Sequence, residues 1–335
     1  MILFGVRLYV ASLLVTAVSA GAQPGLDRTR NNIQYPNGYT AATDENAGRI
    51  EKVGTGGTTL VFIGGWGFSA DVFRDFATAN AREYTTYLVT LPGFGGTPGW
   101  PMPGDSVSHA TTPWITRSAA YVARALANRN VHDAIVLGHF LIGTHVAMAL
   151  GQHDERIRGI VLLGGELSRY WPSREDTTGR TPATPEQRAA SVDRAWVPRF
   201  FRYVTDSTWH ANNYLAHTFS VDSARAAPLW SEQASVPLPI MIRYLSDFYA
   251  TEFAPKLDSV RVPALVLQPG FSDAVLSDKR TPYLKPFFQD SWTPARARGN
   301  FTIRTVPNAA VNIWLDQPVA FQKELREFVA RLRTR

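Results

Sequence analysis

The sequence predicts an α/β fold in which helices cover both faces of a mostly parallel central sheet. The prediction rests on two observations: short apolar runs of strand length recur along the chain, and most are separated by stretches of helical pattern. The apolar runs are residues 59–64, 86–91, 133–138, 157–164 and 262–268. Strands that alternate with helices in this way pair in parallel and are buried on both faces.

The composition fits a globular chain with a sizeable core. The 335 residues are 45% hydrophobic and 19% charged, which is ordinary globular usage. Cysteine is absent from the sequence, which excludes disulfides, thiolate catalysis and cysteine metal sites. The net charge is +6, but the 34 lysines and arginines are scattered and form no basic run with interleaved aromatics. We therefore expect no nucleic-acid partner.

The first 22 residues predict a secretory signal peptide. Arg7 precedes an apolar run over residues 8–18, and Ala20 and Ala22 follow at the spacing of a cleavage site. The alternative is a membrane anchor, but the run is shorter than the roughly 20 residues that a spanning helix needs. The sequence therefore predicts cleavage after Ala22, a secreted or periplasmic location, and no stable membrane anchor after cleavage.

The remaining chain divides into three parts by pattern. Residues 23–45 form a polar N-terminal arm, and the strand and helix alternation occupies residues 46–165 and 258–335. Residues 166–257 interrupt this alternation, because they form a long, helix-prone stretch that is rich in aromatics. They predict a helical cap inserted after a central strand. Its aromatics either line an apolar pocket or pack the cap onto the sheet, and packing is the ordinary role of each one alone.

One turn points to a known family. Residues 134–150 read AIVLGHFLIGTHVAMAL, a buried strand that passes through a glycine-bounded turn into a helix. The turn resembles the nucleophile elbow, G-x-S-x-G, of the α/β-hydrolases, with Gly138 at its first position. Phe140 replaces the serine and Ile142 replaces the second glycine. A phenyl ring has no ionisable proton and no lone pair, so it cannot form a covalent intermediate.

Two earlier segments resemble the same family. Residues 60–73, LVFIGGWGFSADVF, are similar to the loop that supplies one oxyanion-hole amide. The resemblance implies the backbone N–H groups of Trp66 and Leu141 as the two donors, now vestigial. Residues 87–98, YLVTLPGFGGTP, are similar to the strand and turn that precede the elbow in the family, which supports the fold and not any reaction.

The segment after the cap resembles the part of the family that carries the triad acid. Residues 262–275, VPALVLQPGFSDAV, match the strand and turn, and the resemblance places Asp273 at the acid position. Without that register, an aspartate in a loop is an ordinary turn former.

The triad histidine is missing. Residues 305–321, TVPNAAVNIWLDQPVAF, follow the pattern in which Gly-His precedes an apolar run and an acidic residue before Gln-Pro. Counting back from Asp316 places Ala310 at the glycine and Val311 at the histidine. The last of the seven histidines is His217, so a shift of register does not supply the base.

No substitute catalytic group is evident in the sequence. An aspartate nucleophile would also occupy position 140, and neither Ser69 nor Thr144 has an evident base. His139 occupies a position that is usually structural. His210 and His217 could share a helix face, but no third ligand stands at motif spacing, so we expect no metal and no cofactor.

The replaced elbow raises a question of backbone strain. The nucleophile position of this turn usually has an unfavourable conformation that a bulky residue tolerates poorly. Ile142 adds a β-branched side chain where the family's backbones approach closely. We therefore expect the corner to have relaxed toward ordinary backbone angles or to have shifted the helix.

These observations predict a non-catalytic member of the family, with vestigial triad positions at Phe140, Asp273 and Val311 and no serine-hydrolase turnover. Together with Trp66 and Ile142, the replacements make the old site apolar. This suits either an apolar small molecule bound under the cap or a site that is simply filled. Two alternatives stay open: an active secreted hydrolase of esters or amides with an unidentified nucleophile, and a protein-interaction module, for which no motif identifies a partner.

Overall fold

The computed structural model describes residue 35 and residues 38–104, 107–108, 111, 113–167, 183–198, 209, 218–279 and 281–334. The predicted signal peptide lies outside the described residues. The described strands are β1 (Arg49–Val53), β2 (Thr58–Ile63), β3 (Tyr84–Thr90), β4 (Ala134–His139), β5 (Ile157–Leu163), β6 (Ala264–Gly270) and β7 (Phe301–Pro307). The described α-helices are α1 (Arg74–Ala79), α2 (Trp114–Ala127), α3 (Phe140–His153), α4 (Pro185–Ser191), α5 (Ser223–Ala234), α6 (Leu238–Ala250), α7 (Asp273–Ser277), α8 (Leu284–Phe288), α9 (Ile313–Asp316) and α10 (Pro318–Arg333). A π-helical turn, Val192–Trp196, follows α4, and 3-10 helices span Ala70–Phe73, Ala254–Ser259 and Asp290–Ala297.

The described strands form one seven-stranded sheet in the order β1-β3-β2-β4-β5-β6-β7. Only β1 is antiparallel to its neighbour, and the other pairs are parallel. The predicted fold class, a mostly parallel sheet flanked by helices, is confirmed. The five predicted strands appear within a few residues of their expected bounds.

The two edge strands, β1 and β7, were not predicted. Both are only partly buried and carry charged residues, such as Glu51 in β1 and Arg304 in β7. The apolar-run signal is a signal of burial on both faces, so it fails at the edges of a sheet.

The core has one layer on each face of the sheet, because side chains alternate along each strand. In β2, Val61 and Ile63 belong to the layer that contains α3 and the aromatic residues of α6. Leu60 and Phe62 face the other layer, which contains α10. Both layers are apolar, as a parallel sheet requires.

Between β5 and β6 the described residues form α4, the π-helical turn, α5 and α6, which we call the cap helices. The described part of the N-terminal arm packs onto the core. The Tyr35 hydroxyl donates to the Trp100 carbonyl at 2.6 Å, and Ala42 donates its N–H to the Gly99 carbonyl at 2.7 Å.

Among the described residues, none of the helices combines the length and the apolar character needed to cross a bilayer.

Candidate functional site

The elbow between β4 and α3 keeps its strained backbone. Phe140 is the first residue of α3 and has a φ of 53°, in the left-handed region that a non-glycine residue rarely adopts. The expectation that the corner had relaxed was wrong. The strain of such a residue costs roughly 1–3 kcal/mol and persists only where the surrounding structure compensates for it.

Close backbone packing on both sides of the corner explains why it holds. A Cβ added at Gly138 would lie 2.3 Å from the Gly143 carbonyl oxygen, and one added at Gly143 would lie 2.8 Å from the Gly64 oxygen. These contacts join β4, α3 and the end of β2. A close backbone approach falls at Gly143, one residue after Ile142, and the Ile142 side chain is buried in the core.

The Phe140 ring lies in an aromatic cluster and is 5% exposed. It stacks on Phe288 at 5.9 Å and meets Phe68 edge to face at 6.3 Å. Phe219, from the segment that leads into α5, meets it edge to face at 6.0 Å. Side chains of the protein itself therefore surround the position that the sequence resemblance assigns to a nucleophile.

The loop after β2 adjoins the elbow as the resemblance implied. A Cβ added at Gly65 would lie 2.7 Å from the Phe140 Cβ, so the two backbones are in contact. Leu141 lies in the first turn of α3, where backbone N–H groups have no partner within the helix. The predicted oxyanion positions, Trp66 and Leu141, therefore lie on two neighbouring segments, and both residues are buried.

Two of the cap helices, α5 and α6, bind the Trp66 loop. The Trp66 indole N–H donates to the Met241 carbonyl in α6 at 3.0 Å, and the Trp66 carbonyl accepts from the Gln233 amide in α5 at 2.8 Å. Ser69 adds a third link, because Glu232 in α5 accepts from both its hydroxyl, at 2.6 Å, and its N–H, at 2.8 Å.

No sequence motif places a carboxylate beside Ser69. The structure supplies one in Glu232, whose pKa is raised by burial. The Ser69 hydroxyl also accepts from the Asp71 N–H and caps the 3-10 helix that follows, and the residue is buried. The arrangement is that of a capping serine that joins core and cap. Thr144, the other hydroxyl considered, is buried within α3 and donates to the Gly138 carbonyl.

The predicted acid position, Asp273, is the exposed first residue of α7, just after β6. Ser272 caps this short helix by accepting from the Val275 N–H. The predicted histidine position, Val311, is buried in the loop between β7 and α9. A Cβ added at Gly164, which follows β5, would lie 2.8 Å from the Val311 Cβ, so Val311 sits near the carboxyl ends of the central strands.

Residues 218–222, which we call the plug, bind to this loop. Val311 donates its N–H to the Thr218 carbonyl at 3.1 Å. The Phe219 carbonyl accepts from the Asn312 side-chain Nδ2 at 2.8 Å and from its backbone N–H at 3.4 Å. Sequence reasoning missed the plug, because it lies more than 90 residues from the loop along the chain and carries no motif.

Asp316 fastens the plug. Its carboxylate is 0% exposed and accepts from the Ser220 hydroxyl at 2.5 Å and the Val221 N–H at 3.1 Å. It also accepts from the Ala310 N–H at 2.9 Å and from Arg225 at 3.3 Å. From the sequence alone, Asp316 only indicated which residues occupy the predicted glycine and histidine positions, Ala310 and Val311.

The two described histidines nearest the elbow are structural. Phe68, Phe73 and Trp314 surround the buried His139 ring, and its nitrogens have no hydrogen-bond partner among the described residues. The His145 ring packs on Phe253 at 3.8 Å. Burial lowers the pKa of each ring to about 3, so both are neutral.

The proposed histidine pair at 210 and 217 lies outside the described residues. Within the parts of the chain that the structure describes, no group of three or more histidine, aspartate or glutamate residues is placed to hold a metal ion.

Comparison with known proteins agrees with this architecture. The family model of the alpha/beta hydrolase fold matches residues 58–233, more than half of the chain. A hydrolase from Oleispira antarctica superposes with a TM-score of 0.60 at 14% identity, over 87% of this chain and 99% of that one. Est816, described as an N-acyl homoserine lactone degrading enzyme, gives 0.59 at 17% identity, over 86% and 99%. An esterase from Exiguobacterium antarcticum gives 0.59 at 14% identity, over 85% and 98%. Identities this low show a common fold, and with the family match they show that the chain belongs to the α/β-hydrolase fold family.

Proposed function

We propose that this chain is a non-catalytic α/β-hydrolase-fold protein that lacks serine-hydrolase activity. One observation carries the proposal: Phe140 has the backbone geometry of an elbow nucleophile, with φ at 53°, and presents a packed phenyl ring in place of a reactive group. Val311 and its buried loop, at the predicted histidine position, support it independently.

The expected loss of activity is large. In subtilisin, removal of the serine or the histidine alone lowers turnover by about a million-fold, and the residual acceleration comes from oxyanion donors and substrate binding. Here the rings of Phe140 and Phe219 pack against each other and against Phe68, which follows Trp66 in the same loop, so we expect that a bound acyl group would have to displace them. We expect no serine-hydrolase turnover.

A binding role is the second part of the proposal: the chain binds an apolar small molecule under the cap helices. An aromatic cluster supports it, because Trp209 lies 5.8 Å from Trp66 and 5.3 Å from Trp230, which in turn stacks on Phe219. Such rings suit an apolar ligand. Together with Phe140, Ile142 and Val311, Trp66 marks the proposed pocket.

The alternative is an active secreted hydrolase of esters or amides that uses another nucleophile. The hydrogen bond from Ser69 to Glu232 is the observation that favours it. Export remains part of the proposal and rests on the sequence of residues 1–22 alone.

The deciding experiment measures hydrolysis of short activated esters by the purified chain from residue 23 onward. A variant with Phe140→Ser, Ile142→Gly, Ala310→Gly and Val311→His is assayed beside it, with circular dichroism as a check of folding. Turnover by the variant alone would support a silenced scaffold. Turnover by the original chain that Ser69→Ala abolishes would establish the alternative, and turnover that survives Ser69→Ala would point to a further nucleophile.

A further inference from the structure

The plug presents a flat aromatic ring to three others. Phe68 meets the Phe219 ring edge to face at 5.2 Å and 83°, and Phe140 does so at 6.0 Å and 85°. Trp230 lies nearly parallel to it, at 6.1 Å and 16°. These are the offset and edge-on arrangements that aromatic pairs prefer over a face-to-face sandwich, and they add stabilisation beyond the burial of apolar area. The site therefore selects for a planar aromatic ring.

The plug accepts hydrogen bonds from the neighbouring loop through two carbonyl groups, as a bound small-molecule amide could. The carbonyl groups of Thr218 and Phe219 accept from the backbone N–H groups of Val311 and Asn312 and from the Asn312 Nδ2. Asn312 is 0% exposed, and its Oδ1 has no hydrogen-bond partner among the described residues. Because buried polar atoms are normally hydrogen-bonded, this oxygen favours a ligand that carries a hydrogen-bond donor. The loop thus offers N–H donors and one unused acceptor, the complement of a primary amide.

We propose that Phe219 and its two flanking carbonyls act as an internal ligand, and that a small aromatic amide binds the same site by displacing residues 218–221. This rests on the binding role proposed above and names its ligand class. The ring of the ligand takes the place of the Phe219 side chain. Its carbonyl accepts from Val311 or Asn312, and its amide N–H donates to the Asn312 Oδ1.

The arrangement around Asp316 makes displacement feasible. If the plug leaves, the Asp316 carboxylate loses Ser220 and Val221 but keeps the Ala310 N–H and Arg225. The buried charge is therefore still partnered when the site is open, which avoids the large penalty of an isolated buried carboxylate. One end of the plug already lies at the protein surface, since Val221 is 54% exposed.

The absence of native cysteine allows a direct test of opening. Thr218 is 5% exposed and its hydroxyl has no partner among the described residues, so Thr218→Cys places one thiol in the plug with little loss of contacts. The probe is N-acetyl-L-phenylalaninamide, which carries the ring, both carbonyls and the amide. We expect the probe to raise the rate of thiol labelling at position 218 in a saturable way.

The matched control is Ser246→Cys, a buried position in α6 of the same cap. We expect the probe to leave its labelling unchanged. If both thiols become more reactive together, the probe loosens the whole cap and the proposal is wrong.

A second measurement removes the internal competitor. Phe219→Ala should bind the probe at least about tenfold more tightly than the original chain, because the tethered ring competes at a high effective concentration. Phe253→Ala, an equal truncation beside His145, should show no gain. The cyclohexyl analogue of the probe should bind Phe219→Ala more weakly than the probe does.

Equal affinity of the probe for the original chain, Phe219→Ala and Phe253→Ala would overturn the proposal, as would equal binding of the cyclohexyl analogue. If Phe219→Ala fails to fold, the labelling of Thr218→Cys decides alone. Binding of other apolar compounds without any dependence on Phe219 would leave the broader binding role intact while excluding this one. The ester assay tests catalytic loss separately from all of these.

Discussion

The indole N–H of Trp66 donates a 3.0 Å hydrogen bond to the carbonyl of Met241, 175 residues away in the chain. This hydrogen bond joins α6 to the loop in which the resemblance places one oxyanion-hole amide. With the Gln233 contact on the Trp66 carbonyl, it joins α5 and α6 to the loop that adjoins the elbow. Helices α5 and α6 therefore pack together with the loop that adjoins Phe140, and the following substitutions test this packing.

The first prediction concerns the positive φ of Phe140. Phe140→Ala should lower the free energy of unfolding by about 3–5 kcal/mol, since a buried ring is lost. Phe140→Gly should be less destabilising than Phe140→Ala, because glycine adopts positive φ without strain, whereas at ordinary positions glycine is worse than alanine by about 0.5–1 kcal/mol. Urea denaturation of the two variants measures the order, and an alanine variant more stable than the glycine variant would count against the strained elbow.

The second prediction concerns the packing of the corner. Gly138→Ala should destabilise the protein by more than about 2 kcal/mol, because its Cβ would meet backbone at 2.3 Å and neither segment can move alone. Gly57→Ala is the control, since nothing lies within 4 Å of its added Cβ and its φ is not positive. Thermal unfolding distinguishes them, and similar melting temperatures would refute the packing argument.

The third prediction concerns the Asp316 carboxylate. Asp316→Ala should lower the free energy of unfolding by about 2–4 kcal/mol, because it leaves Ser220, Val221 and Ala310 without their acceptor. Asp290→Ala removes an exposed carboxylate 3.8 Å from Lys285 and should cost less than about 1 kcal/mol. Chemical denaturation of both variants gives the comparison, and equal losses would show that Asp316 does not fasten the plug.

The fourth prediction concerns pH. Burial lowers the pKa of His139 to about 3 from 6.5, so between these values the unfolded chain binds a proton that the folded chain does not. Stability from this group is therefore present above pH 6.5 and is lost as the pH falls toward 3. His139→Leu should reduce the slope of stability against pH by up to about 1.4 kcal/mol per pH unit in that window.

Two other buried groups set the background of this pH dependence. His145 contributes in the same direction as His139, because burial also lowers its pKa to about 3. Asp247 opposes both between about pH 3.8 and 6, since burial raises its pKa to about 6. The comparison of His139→Leu with the original chain cancels these terms. An unchanged slope in the variant would contradict a neutral His139.

The sequence alone determined the central strands, the position of the turn between β4 and α3, and the absence of histidine after His217. Each follows from local pattern or from composition. Apolar runs mark strands buried on both faces, and glycines mark the turn at residues 138–143. The absence of histidine after residue 217 is read directly from the sequence. The edge strands β1 and β7 escaped because their burial is partial.

Only the tertiary structure decided which side chains surround Phe140 and which contacts hold the turn between β4 and α3. The sequence predicted a relaxed Phe140, because local pattern shows neither the backbone packing at Gly138 and Gly143 nor the rings that pack against Phe140. The links between Ser69 and Glu232 and between Ser220 and Asp316 join residues more than 90 positions apart. Such contacts depend on how the cap docks on the sheet, and hydrophobic periodicity, which reports one element at a time, carries no information about that docking.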